Sequence, residues 1–174
     1  MIHLDPTLQA DHEQKLQDLK FALKRVADLE DSLQGVTYNL SSSIPSFVGR
    51  EQELLEIHYK LTEKDDNKIA MVIHGLGGVG KSELVRQYCQ RYATSHYRRN
   101  VIWINAADKN TMEEDFFNVA ERIKLKTTDE NNKQLSIKTI VNKVYRFFAD
   151  RPVLFVFDNV INKIELMEFL ELNM

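Results

Sequence analysis

The spacing of apolar positions divides the chain into segments of different period. From Thr7 to Leu33, the residues Leu16, Leu19, Leu23, Val26, Leu29 and Leu33 recur every three or four positions, which lines them up on one helical face. Lys15, Asp18, Lys20, Lys24, Asp28 and Asp31 supply the charged opposite face, and Gly35 is a stop signal. Coiled-coil seams need about three to four clean heptads, so the stripe fits one helix of an N-terminal bundle better. Val36 to Pro45, with Ser41, Ser42 and Ser43, reads as a linker. Leu54, Leu55, His58 and Leu61 predict a second amphipathic helix over 51–61, closed by the polar loop Glu63 to Lys68.

Beyond that loop the pattern alternates. Short branched runs at Ile69–Ile73, Val101–Ile104 and Val153–Phe157 read as buried strands. Between and after them lie helical patterns over 81–92, 111–125, 135–148 and 166–172, with a polar loop at Thr127–Lys133. Strands alternating with 10–15-residue helices predict a parallel sheet built from βαβ units. The expected organisation is a helical segment at 1–35, a linker at 36–46 and an α/β domain at 47–174.

Composition narrows the function class. Twenty-three Lys and Arg against 26 Asp and Glu give a formal charge of -3. Arg98 and Arg99, with Arg91 and His96 nearby, make only a small basic patch, too few cations for a nucleic-acid footprint. A single cysteine, Cys89, excludes an intrachain disulfide or a cysteine zinc cluster. No strictly apolar run is longer than Val153 to Phe157, far below the roughly 18 residues of a membrane span. The first residues also lack the basic and apolar regions of a secretory signal. A cytoplasmic protein without nucleic-acid or membrane partners is expected. His58 and His74 have no second ligand at metal spacing, Cys89 reads as a small buried hydrophobe, and Trp103 reads as core.

Four of the six glycines fall within six residues. Ile69–Ile73 leads into Gly75-Leu76-Gly77-Gly78-Val79-Gly80-Lys81-Ser82, followed by Glu83 and a helix. This satisfies G-x-x-x-x-G-K-[ST] between a strand and a helix, with chance odds on the order of one in 200 in this length. Glycines open backbone angles closed to other residues, so successive N–H groups can turn inward around a phosphate. The helix start adds unpaired donors and the positive end of its dipole. Lys81 supplies a cation for the β- and γ-phosphates, and the Ser82 hydroxyl is a Mg²⁺ ligand. Asp158 ends the third strand, on the ligand side of a parallel sheet, where it can hold the same Mg²⁺. Asn159 follows; an amide binds water but cannot accept its proton, which favours binding over rapid turnover.

These motifs resemble the NB-ARC branch of the signal-transduction (STAND) P-loop NTPases, the family of plant resistance proteins and the apoptosome scaffold. Phe47-Val48-Gly49-Arg50-Glu51 is similar to the segment passing the adenine, and the resemblance implies that Val48 and Arg50 lie against the base. Val72 to Ser82 matches the P-loop block, and Leu154-Phe155-Val156-Phe157-Asp158-Asn159-Val160 resembles the Walker B strand. The resemblance implies a P-loop NTPase-like parallel sheet flanked by helices. It further implies bound ATP or ADP with Mg²⁺, Lys81 and Asp158 in the catalytic positions, and an ADP/ATP switch in signal transduction. Protein partners would act through the N-terminal helix or through C-terminal regions beyond this chain.

The chain ends 16 residues after Asp158. The family's sensor arginine, winged-helix segment and histidine motif would lie further on. The strand that follows Walker B would insert beside the P-loop strand, whereas Leu166–Leu172 reads as a helix. The expected sheet is therefore incomplete, as in a fragment, a truncated product or a chain completed by a partner. Hydrolysis is expected to be slow or absent. The alternatives are an active P-loop ATPase, and a truncated or dominant-negative interaction protein without nucleotide turnover.

Overall fold

The computed structural model describes residues 13–25, 35–44, 47–62, 71, 73 and 76–171. The chain divides into two units, Met1–Gly35 and Val36–Met174. In the first, residues 13–25 form a helix, α1. Leu16, Leu19 and Leu23 are each more than half exposed on it. The remainder of the expected 7–33 helix lies outside the described residues.

The second unit is α/β. Its helices are α2 (Glu51–Thr62), α3 (Lys81–Tyr97), α4 (Lys109–Arg122), α5 (Ile137–Phe147) and α6 (Lys163–Glu171). Three parallel strands, β1 (Thr37–Tyr38), β2 (Val101–Asn105) and β3 (Leu154–Asp158), lie in the order β1-β2-β3. Alternation along the strands sets the two faces. Ile102, Ile104, Phe155 and Phe157 pack with α4, α5 and Phe169 of α6. Val101, Trp103, Leu154 and Val156 pack with Val85 and Cys89 of α3. Phe116, fully buried, stacks on Phe169 with ring centres 5.6 Å apart. Burying such a side chain contributes about 1.5–3 kcal/mol. This is the helix-covered parallel sheet that the alternating pattern predicts.

Local chemistry fixes the ends of the elements. Asp108 and Ser136 cap α4 and α5 by accepting the Thr111 and Thr139 amides at 2.9 and 3.3 Å. α3 runs past the expected end at Tyr92 because neither Gly nor Pro interrupts it. It stops where Arg98 turns left-handed and donates its amide to Ala93 O. In the segment read as a linker, Thr37 and Tyr38 extend the sheet, two residue types that favour strands. Of the expected strand Ile69–Ile73, only Met71 and Ile73 are described; they pack against Leu54, Ile57, Leu84 and Tyr88.

The strands differ in exposure. Val101, Ile102, Trp103 and Ile104 of β2 are buried, whereas all of β3 is only half-buried. Among the described residues, β3 pairs with β2 alone.

Candidate functional site

The glycine-rich loop delivers its residues onto the start of α3. Gly78 and Gly80 have φ of +78° and +79°, the left-handed region that side chains rarely adopt. Gly80 is the N-cap of α3 and makes no side-chain cap bond. A helix start of this kind offers backbone donors and a positive dipole end to an anion. Leu76 and Val79 expose their side chains, so what this loop brings to the site is its backbone. Gly75 lies outside the described residues, and Gly77 has open space where a Cβ would stand.

Lys81 reaches back over the loop, its ammonium donating to Leu76 O at 2.8 Å. One residue on, the Ser82 hydroxyl donates to Asp158 Oδ1 at 2.8 Å. The structure thus joins residues 76 positions apart in sequence. Two hard oxygen donors, one anionic, suit Mg²⁺, which favours carboxylate and hydroxyl ligands. Asp158 pairs in register with Asn105 at the carboxyl ends of β3 and β2. Its Oδ1 also accepts the Asn159 amide at 3.0 Å.

Asn159 adopts a left-handed φ of +62°, a conformation that asparagine tolerates better than most residues. Its side-chain amide donates to Asn105 Oδ1 at 3.2 Å. A carboxamide pair therefore stands beside the Asp158 carboxylate. A carboxamide can orient a water but cannot take up its proton.

The upstream block also meets the loop. Arg50 has φ of +61° and directs its guanidinium to Val79 O at 3.1 Å and Gly80 O at 3.5 Å. The same guanidinium pairs with Glu53. Arg50 therefore clasps the P-loop backbone, while Val48 is 90% exposed. Glu83 accepts the Ile44 amide at 2.7 Å and faces Arg86 at 3.6 Å. Its carboxylate ties the linker to α3, so any part in binding phosphate falls to its backbone.

Residues that the sequence did not single out complete the surroundings. Asp115, 8% exposed, accepts the Asn105 amide at 2.7 Å and the Tyr38 hydroxyl at 2.6 Å. Burial and Asp115 push the Tyr38 hydroxyl up to about 12. One signal was available: position 115 falls among Met112, Phe116 and Val119 on the inward face of α4, where a carboxylate needs partners. Cys89, which the sequence did single out as a small buried hydrophobe, is buried, and desolvation raises its thiol to about 12, the state of an inert core cysteine.

Comparison with known proteins places this geometry. The NB-ARC domain family matches residues 50–172. A nucleotide-binding leucine-rich repeat (NLR)-like protein of Hyaloscypha variabilis is 30% identical over 89 residues, 49% of this chain and 9% of that protein. A putative disease resistance protein of Arabidopsis thaliana is 24% identical over 114 residues, 66% of this chain and 12% of that protein. The chain thus spans about a tenth of the length of these relatives. No solved structure gives a significant match.

Proposed function

The chain belongs to the NB-ARC family of signal-transduction nucleotide-binding modules, and on that premise we propose that residues 47–174 bind ADP and ATP with Mg²⁺ as the nucleotide module of a switch protein that hydrolyses ATP slowly or not at all. The observation that carries the reading is the 2.8 Å contact between Ser82 and Asp158, made while Lys81 spans the glycine loop. It brings the two halves of a P-loop site together at the start of α3.

Each residue has a defined task in this reading. Backbone amides of the loop from Gly75 to Gly80, with those of Lys81, Ser82 and Glu83, surround the phosphates. Lys81 moves its ammonium from Leu76 O to the β- and γ-phosphate oxygens, where the hydrogen bonds are charge-assisted on both sides. Ser82 and Asp158 hold Mg²⁺, which neutralises phosphate charge when bound. Val48, exposed, offers an apolar surface to the adenine, and Arg50 fixes the loop below it. Asn159 and Asn105 position water without accepting its proton, which keeps turnover low. ADP would hold one conformation and ATP another, each shifting the population only by its differential affinity. Residues 1–35 stand as the N-terminal helical segment, 36–46 as its connection, and the protein as cytoplasmic. Among the described residues no helix is long and apolar enough to cross a membrane.

Phosphate release from Mg-ATP tests the catalytic part. The expected rate is well below the 1–10³ s⁻¹ of working enzymes, with the residual turnover removed by Lys81→Ala. Turnover within that range, also abolished by Lys81→Ala, would replace the switch reading with that of an active ATPase.

A further inference from the structure

An unbroken hydrogen-bonded path crosses the second unit from the linker strand to the glycine-loop helix. Tyr38 of β1 donates to Asp115 Oδ1 at 2.6 Å. Asp115 Oδ2 accepts the Asn105 amide at 2.7 Å. Asn105 Oδ1 accepts from the Asn159 side chain at 3.2 Å and from the Ala107 amide at 3.3 Å. The Asn159 amide donates to Asp158 Oδ1, which also accepts from Ser82. Asp115 is the hinge of this path, since its two oxygens serve two strands. One oxygen fixes the end of β2 beside the Walker B residue, and the other holds the short strand β1.

β1 is poorly anchored apart from these side chains. It has two residues, and only Thr37 and Tyr38 pair with β2, opposite Val101 and Ile102. A strand of that length depends on its side-chain ties to stay docked. The ties from Val36 N to Asn100 Oδ1, from Val101 N to Val36 O and from Thr37 Oγ1 to Arg99 O lie at the amino end of β2. Among the described hydrogen bonds of β1, that of Tyr38 to Asp115 reaches toward the carboxyl end, where Asp158 and Ser82 stand, while further along the linker the Ile44 amide is held by Glu83 of α3. A neutral donor on a buried carboxylate is a strong, directional bond, and leaving that carboxylate oxygen unpaired is costly.

We propose that Asp115 is a positioning residue that couples the docking of β1 to occupation of the nucleotide site, so that the nucleotide tightens the linker strand and the docked strand tightens nucleotide binding. The inference rests on the nucleotide reading above. Bound nucleotide with Mg²⁺ engages Ser82 and Asp158 and restrains Asn159 and Asn105. Asn105 in turn holds the Asp115 carboxylate where Tyr38 reaches it. By linkage the effect is reciprocal: whatever factor the nucleotide adds to docking, docking adds to nucleotide affinity.

Hydrogen exchange of the 174-residue chain, with and without saturating Mg-ADP or Mg-ATP, tests the coupling. In the unmodified chain, nucleotide should slow exchange across residues 36–38 by about tenfold, within the usual range of coupling between sites. Tyr38→Phe removes only the hydroxyl and leaves an aromatic ring for packing. This variant should still bind nucleotide, about tenfold more weakly, and should lose the slowing at 36–38 while nucleotide still slows exchange in the glycine loop and at the start of α3. Asp115→Asn puts a donor where one of the two acceptor oxygens stood, so it cannot accept from both Tyr38 and Asn105, and it should give the same pattern. Slowing retained in both variants, or nucleotide binding without slowing in the unmodified chain, overturns the coupling alone. No binding by the unmodified chain overturns the nucleotide reading and the coupling with it.

Discussion

At the scale of single residues, buried polar groups fix the geometry. Asn100, 6% exposed, accepts the Val36 amide at 2.9 Å and donates to Pro152 O at 2.9 Å. One carboxamide thus ties the linker, the start of β2 and the approach to β3. Asn100→Ala would leave a backbone donor and a backbone acceptor without their partner, at a cost of about 1–3 kcal/mol. Urea unfolding should show this as a lower midpoint with an unchanged slope; a midpoint within error of the unmodified chain would show that water replaces both bonds. Neither Asn100 nor Asp115 was legible as a partner in the sequence. Their contacts lie 64 and 77 positions away, and local pattern carries no such information. Lys81 and Ser82 were legible because the chemistry of a phosphate cradle compresses into eight consecutive residues.

At the scale of elements, α2 and α3 pair through aromatic and imidazole rings. His58 stacks on Tyr92 with centres 4.0 Å apart and meets the edge of His96 at 4.4 Å. Its Nδ1 lies 3.4 Å from the Tyr88 hydroxyl, which in turn is 2.8 Å from the Tyr97 hydroxyl. Burial and the neighbouring His96 hold His58 below the usual histidine value of 6.5. The folded helix pair therefore binds fewer protons at His58 than the unfolded chain does. Its contribution to stability is present above pH 6.5 and is lost as the pH falls below that value. The melting temperature should drop between pH 7 and pH 5, and His58→Gln should flatten the drop; an equally steep fall in the variant would assign it to other groups. The pattern of apolar positions predicted both helices, since a 3.6-residue period is a local property. It missed the final turn of α3, because the helix ends on a left-handed Arg98 and no glycine marks the place.

At the scale of the whole molecule, the fold class was legible and the sheet's edge was not. Alternating strands and helices announced a parallel sheet covered on both faces, and the hydrophobic clusters on either side of β2 are that arrangement. The short strand β1 escaped notice because two residues in a serine-rich stretch carry no period. β3 was expected to lack its inner neighbour, and among the described residues it pairs on one side only and is half-buried throughout. Asp158, the glycine loop and Arg50 nonetheless converge, because β3, α3 and the start of α2 each bring one part by its own short-range geometry.

That convergence yields the most direct test of the nucleotide reading: calorimetric titration of the 174-residue chain with Mg-ADP and Mg-ATP, beside Lys81→Ala. One nucleotide should bind per chain, with affinity at least about tenfold weaker once the ammonium is gone, the equivalent of one charge-assisted contact. Absence of binding at millimolar nucleotide, or equal affinity in the two proteins, would contradict it.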